Sequence, residues 1–214
     1  DEGSAYFAWD VFSSTTGGND PAELFPDPLP AGWAEPDVVE TTGDAFITAS
    51  GRIYSPFGPI NVQTVVPNYG ESAGRTTLLF QIRTIGNELA YQDARLDGGV
   101  APTEIVEISR QSGSMGFEIE TLFVFEVDGN ADMYVFDIPT ADAHCSIDAI
   151  VVDTLAAADD CLGDFNGDGS VNTQDVIAFL NAWATGDSSA DINGDGSVNT
   201  QDVIAFLNLW ASGC

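Results

Sequence analysis

Two stretches of this 214-residue chain place oxygen-bearing side chains at a spacing that can do metal chemistry. Asp164 to Asn181 reads DFNGDGSVNTQDVIAFLN, and Asp191 to Asn208 repeats it 27 residues later with one change, Phe165 against Ile192. Each copy opens a twelve-residue segment with Asp, Asn, Asp, Asn and Asp at positions 1, 3, 5, 9 and 12. In the first copy these are Asp164, Asn166, Asp168, Asn172 and Asp175; in the second, Asp191, Asn193, Asp195, Asn199 and Asp202. Ser170 and Ser197 occupy position 7, where a backbone carbonyl is the donor, and Gly169 and Gly196 occupy position 6, where the segment must turn sharply. A chain that offers oxygens at alternate residues wraps them around a hard cation. Ca²⁺ takes roughly six to eight of them, so two calcium ions are expected.

The layout is that of an EF-hand calcium loop. Past each loop an apolar stripe at helical spacing begins, Val176, Phe179, Leu180 and Trp183 in one copy and Val203, Phe206, Leu207 and Trp210 in the other. The stripes predict two helices packed on one another. Two features depart from an ordinary EF-hand: position 12 is Asp rather than Glu, and no separate helix precedes either loop. Both are found in dockerins, and residues 161–214 resemble a dockerin module of the type I kind. The resemblance implies a small calcium-folded helical pair that docks onto a cohesin domain of a scaffold protein. It also implies that positions 10 and 11 of each loop, Thr173 and Gln174, Thr200 and Gln201, help to select the partner. The chain lacks the basic residues many dockerins carry in the recognition helix, having Leu180-Asn181 and Leu207-Asn208 there. The partner is therefore expected to be a cohesin-like scaffold domain or neighbouring copies of the chain itself. Start and finish of such a module come close, so Cys161 and Cys214 are expected to form a disulfide clasp, the alternative being two unpaired thiols. Cys145 is then left over and reads as a small buried hydrophobe.

The remainder of the chain must position this module, and its charge restricts what it can meet. There are 34 acidic residues against five Arg and no Lys, a formal charge of -29. A nucleic-acid surface needs clustered cations and an anionic membrane would repel this chain, so neither is an expected partner. No apolar run is long enough to span a bilayer. With 44% hydrophobic residues the chain can bury a real core. Asp1 at the start suggests a mature product whose leader has been removed, and with three Cys this points to a secreted, extracellular or cell-surface protein; the dockerin resemblance implies a bacterial source.

The chain reads as five parts: a strand-like arm over 1–12, a Pro-rich linker over 13–37, a β-domain over 38–155, a linker over 156–163, and the module itself over 164–214. In the arm, Ala5, Phe7, Trp9 and Val11 share one face by alternation. In the β-domain the expected strands are 45–54, 61–66, 76–85, 104–109, 116–127, 133–138 and 146–154. Short strands with no helical period between them predict an antiparallel β-sandwich, jelly-roll-like, followed by a small α-helical module.

No catalytic constellation is expected. Gly70-Glu71-Ser72-Ala73-Gly74 has the G-x-S-x-G form of a nucleophile elbow but precedes a strand-like run rather than a helix, and reads as a hairpin loop. Glu118 and Glu120 share a strand face as solvated acids, and His144 and Cys145 are neighbours that a strand points to opposite sides. Trp33, Tyr54, Phe57, Tyr69, Tyr91 and Tyr134 could include a sugar-stacking platform. Two functions are thus expected. The first is a non-catalytic, secreted, calcium-binding structural protein that self-assembles or attaches to an extracellular scaffold, its arm either pairing with another copy's open sheet edge or folding back onto its own sandwich. The second is a carbohydrate-binding module recruited to a polysaccharide-degrading complex by its dockerin.

Overall fold

Val, Ile, Phe and Thr at alternate positions make one wet and one dry strand face, and that alternation organises the first 157 residues. A computed structural model describes residues 4–69, 74–157, 161–168 and 170–213. The chain divides into two units, Asp1–Ala157 and Ala158–Cys214. The first contains β1 (Ser4–Trp9), β2 (Glu23–Phe25), β3 (Asp37–Glu40), β4 (Phe46–Ile47), β5 (Ile53–Tyr54) and β6 (Asn61–Pro67). It continues with β7 (Arg75–Gly86), β8 (Arg95–Leu96), β9 (Glu104–Gly113), β10 (Gly116–Asp128), β11 (Met133–Pro139) and β12 (Cys145–Ala157). The second contains α1 (Thr173–Thr185) and α2 (Thr200–Ser212). The mainly β, antiparallel architecture with a helical C-terminal module is as the sequence predicts.

One sheet runs β2-β1-β12-β7-β10-β9, with β5 joined to β12 and β4 to β5; the other runs β3-β6-β11-β8. Their inner faces share a single core. Phe7, Trp9, Phe80, Phe123, Phe125 and Val152 come from the first sheet, and Val38, Val62, Val66, Phe136 and Ile138 from the second. The core is rich in stacked and edge-on rings, such as Phe80 against Phe136 at 4.9 Å and Phe125 against Phe136 at 5.5 Å.

Of the two courses open to the N-terminal strand, pairing with another copy or folding back onto its own sandwich, the structure shows the second. β1 lies between β12 and β2, antiparallel to both, so both of its edges are hydrogen-bonded within the chain. Burying Ala5, Phe7 and Trp9 holds it there, whereas Val11 is exposed and Phe12 is buried in its place. Residues 13–37 are likewise no linker. Leu24, Leu29 and Trp33 pack on the core. Buried Asn19 accepts the Ser13 and Ser14 N–H groups and donates to the Val38 carbonyl, while Asp37 accepts the Gly18 and Asn19 N–H groups. Proline density prevents long strands here but not packing. The expected strand over 45–54 is instead the hairpin β4–β5, turned at Gly51, whose φ of 76° only glycine adopts without strain. β12 runs on to Ala157, into the segment expected to be the second linker.

Polar groups on the outer face of the large sheet are tied by a triad. Arg52 from the hairpin turn and Arg83 of β7 each direct Nε at a different oxygen of the mostly buried Asp148. Burial alone would raise the Asp148 pKa; the two guanidiniums overcome it and hold the carboxyl below its usual range. The folded state thus binds this proton more weakly than the unfolded chain. The stability the triad supplies is present above about pH 4 and lost as pH falls through the lowered folded value. Asp148→Asn is expected to cost about 1–3 kcal/mol at neutral pH, by leaving two guanidiniums facing each other. Its stability should also decline less steeply than the parent's below about pH 4, followed by urea unfolding read at the β12 amide signals.

Candidate metal centre

Each loop ends where its helix begins, and the same side chains do both jobs. Asn172 is the N-cap of α1: its side chain accepts the Gln174 N–H, and Asp175, at the third helical position, accepts the Asn172 N–H in return. Asn199 and Asp202 make the same capping box at α2. At the other end α1 stops at Gly186, in the left-handed conformation, whose N–H reaches the Ala182 and Trp183 carbonyls.

The carboxylates at position 12 are the centre of each loop. Asp175 Oδ1 accepts the Asn166 N–H at 3.1 Å and Oδ2 the Asn172 N–H at 2.7 Å. Asp202 does the same for Asn193 and Asn199 at 3.3 and 2.7 Å. At the loop start, Asp168 N–H is shared between Asp164 Oδ1 and Asn166 Oδ1, and Asp195 N–H between Asp191 Oδ1 and Asn193 Oδ1. Gly196 N–H reaches Asp191 Oδ2; its counterpart Gly169 lies outside the described residues. Ser170 and Ser197 accept at their carbonyls from the Asn172 and Asn199 amides. All twelve expected ligand residues are therefore gathered in two equivalent turns, with Asn172 and Asn199 also serving as caps.

Among the described residues no three Asp, Glu, His or Cys side chains converge closely enough alone to form a metal-holding cluster. Each loop instead interleaves three carboxylates with amide and carbonyl oxygens, the donor set a hard cation takes. Charge supplies the sharper test. Asp175 and Asp202 are fully buried, and the sequence has no Lys, Arg or His after His144. Backbone N–H bonds, that of the cap Asn first, hold both carboxyls below the usual range against their burial, so they are ionised. A buried anion without a protein cation, holding lone pairs beyond the two N–H bonds it accepts, fits a divalent ion.

The two copies are fastened by their own side chains. Phe179 and Phe206 stack at 4.2 Å with 12° between planes, and Phe165 meets both edge-on. Trp183 of α1 donates its indole N–H to the Asn199 carbonyl at 2.8 Å, and Trp210 of α2 donates to the Asn172 carbonyl at 2.7 Å. Each helix thus ends on the other copy's loop. Gly163 lies against the last turn of α2, where an added Cβ would sit 3.3 Å from the Leu209 oxygen, so entry and exit of the unit run side by side. Cys161 is disulfide-bonded and Cys145 is free and buried; Cys214, the expected partner of Cys161, lies outside the described residues.

Thr173, Gln174, Thr200 and Gln201 stand exposed on the first turns of the helices. Beside them the helices expose Ile177, Leu180, Ile204 and Leu207, which sequence reasoning either omitted or assigned to the core. The signal was present: Ile177 and Leu180 form a second i, i+3 stripe, duplicated in the other copy. Elsewhere, Gly70–Ala73 of the G-x-S-x-G motif lie outside the described residues. Glu120 is bonded to Gln81, and His144 is exposed where Cys145 is buried.

Trp183→Phe keeps an aromatic ring, smaller than the indole, but removes the donor, leaving the Asn199 carbonyl without this partner. A loss of about 1 kcal/mol in the stability of the C-terminal unit is expected, and one of about 3–5 kcal/mol for Phe179→Ala. Both should be read from the α2 amide signals, with β-unit signals unchanged.

Neither the curated proteins nor the solved structures hold a match to this chain. Residues 162–208 match the family model of the dockerin type I domain, and this duplicated loop–helix segment is accordingly of the kind that binds calcium and attaches its carrier to cohesin-bearing scaffolds.

Proposed function

We propose that the protein is a non-catalytic, secreted, calcium-binding structural protein whose C-terminal unit folds on binding calcium and docks the β-sandwich to a bacterial extracellular assembly.

 The carrying observation is the pair of fully buried, ionised carboxylates, Asp175 and Asp202, in loops to which the chain brings no cation. Two calcium ions are assigned, one to Asp164, Asn166, Asp168, the Ser170 carbonyl, Asn172 and Asp175, the other to Asp191, Asn193, Asp195, the Ser197 carbonyl, Asn199 and Asp202. Calcium bound there supplies the positive charge that the loops lack. The residues themselves do the rest: the Asn caps start the helices, the position-12 carboxylates bind the loop N–H groups, and the crossed Trp bonds tie each loop to the other helix.

Attachment, rather than self-assembly through the arm, is favoured by the placement of β1 between two strands of its own sheet, where it has no edge to donate. The docking face we assign comprises Thr173, Gln174, Thr200 and Gln201 with the exposed Ile177, Leu180, Ile204 and Leu207. These lie in equivalent places on the two helices, each helix carrying an exposed apolar pair beside polar residues, and need no basic residue to bury area against a scaffold domain. No helix among the described residues is long and apolar enough to cross a membrane.

Because binding free energy in such a unit is folding free energy, chelation should unfold it. Adding EGTA to the full chain is expected to abolish the helical circular-dichroism signal and to leave the β-unit amide signals in place, with recovery on adding calcium. Titration calorimetry should count two ions for the parent and at most one for Asp175→Ala. A cohesin column should retain the calcium-loaded chain and release it with EGTA. A helical signal indifferent to EGTA would refute the calcium assignment.

A further inference from the structure

In a chain with only five Arg and one His, two of these residues line one surface pocket of the β-sandwich. The pocket has a volume of about 470 Å³, and Arg52, Tyr54 and His144 line it together with the Thr48 and Ser50 hydroxyls. Ile85 and Met115 give it an apolar side. The volume falls within the roughly 300–1,000 Å³ of small-molecule sites, which combine an apolar wall with a few placed polar groups.

The polar groups are held in position. His144 has a φ of 62°, an unusual conformation for a residue with a side chain. Its N–H is bonded to the Ser55 carbonyl at 2.8 Å, its carbonyl accepts the Asn87 N–H at 3.1 Å, and its Nδ1 meets the Tyr54 hydroxyl at 2.7 Å. Gly86 permits this course of the chain, since a Cβ there would sit 2.0 Å from the His144 oxygen. A strained residue fixed by its surroundings is a recurrent feature of ligand sites. Tyr54 is braced by Phe46, edge-on at 5.5 Å. Arg52 is aimed by Asp148 through Nε and touches Ser50 Oγ through Nη1 at 3.3 Å, and Ser50 Oγ lies 3.1 Å from Thr48 Oγ1.

Charge then limits the ligand. Asp148 is shared by Arg52 and Arg83, and Glu118 and Glu120 also act on Arg83, so the positive charge at this pocket is already compensated. An anion would gain little here and would approach against a chain of net charge -29. A neutral ligand with hydroxyl groups along one edge and C–H bonds on one face matches both walls. We propose that this pocket binds a neutral pyranose unit of a saccharide, its C–H face against Tyr54, Ile85 and Met115 and its hydroxyls met by Arg52, Ser50, Thr48 and His144. The site lies wholly within the β-unit, so it is independent of the calcium loops and of the docking function.

The test is a ¹H–¹⁵N NMR titration of the full calcium-loaded chain with the methyl pyranosides of glucose, galactose, mannose and xylose, and with sodium galacturonate. Saturable shifts are expected with at least one neutral glycoside, confined to the amides around Thr48–Tyr54, Met115 and His144, and they should survive EGTA. Tyr54→Ala should weaken that binding at least tenfold, about 1.4 kcal/mol, and Tyr54→Phe, which keeps the ring, by less. If Tyr54→Ala fails to fold, Ser50→Ala in the hairpin turn serves instead, with an expected weakening of about threefold. The proposal is overturned by the absence of saturable shifts with any neutral glycoside, by a response to galacturonate alone, by shifts that map elsewhere, or by binding that no folded variant weakens.

Discussion

A carboxylate sealed from water must be met by a cation or by hydrogen-bond donors, or be neutralised, and this chain has almost no cations to offer. That constraint shapes both units. In the β-sandwich the mostly buried Asp148 takes two of the five Arg residues, which draws a hairpin turn and a central strand to the same point. In the C-terminal unit there is no such resource, because neither Arg nor Lys occurs after Arg110. Asp175 and Asp202 are nevertheless buried and held ionised by backbone N–H bonds. The same acid type is therefore met in two ways, by guanidinium where the sequence has one and, on the function proposed here, by an imported divalent ion where it has none.

The small unit shows why its two loops belong together. Among the described residues its fully buried apolar side chains are few: Phe179, Ala190 and Phe206 form its apolar centre. So little burial gives a unit of this size limited stability without further ties. The disulfide at Cys161 supplies one, and the crossed bonds from Trp183 and Trp210 supply two more. Because each indole N–H ends on the position-9 residue of the other copy, loop geometry in one repeat is set partly by the helix of its neighbour. Each loop is thereby joined to the other copy's helix by a hydrogen bond, and the two helices meet through a stacked ring pair.

The loops were legible in the sequence because their information is local. Ligand spacing, the glycine turn and the capping residues all fall within twelve positions, and duplication doubles the signal. Most β-strands were legible for a similar reason: alternation from Ile119 to Phe125 marks which side faces the core. What escaped depends on distant partners. Proline density in 13–37 suggested a linker, yet Asn19, Asp37 and Trp33 tie that segment to β3 and the core. Leu180 and Leu207 fit a core stripe by period alone, but the stacked Phe pair and the Trp residues already fill the space between the helices, leaving those leucines outside. The Tyr54–His144 contact joins residues 90 apart and depends on a backbone conformation that no sequence pattern announces.

The formal charge of -29 looks at first like a single property of the chain, but its parts act differently. Six carboxylates sit in the two loops, where their mutual repulsion favours taking up a divalent ion. Two bound ions would bring the charge only to -25, so the remaining acids still dominate the long-range field. That field opposes close approach of identical chains and of anionic surfaces, while short-range apolar contact stays available on the exposed helix faces at Ile177, Leu180, Ile204 and Leu207. A partner docking on those faces, as proposed here, would have to offer apolar area without adding a large negative charge. On the function proposed here, that combination favours a less acidic scaffold domain over a second copy of this chain, because two copies would bring the whole of their like charge to the contact.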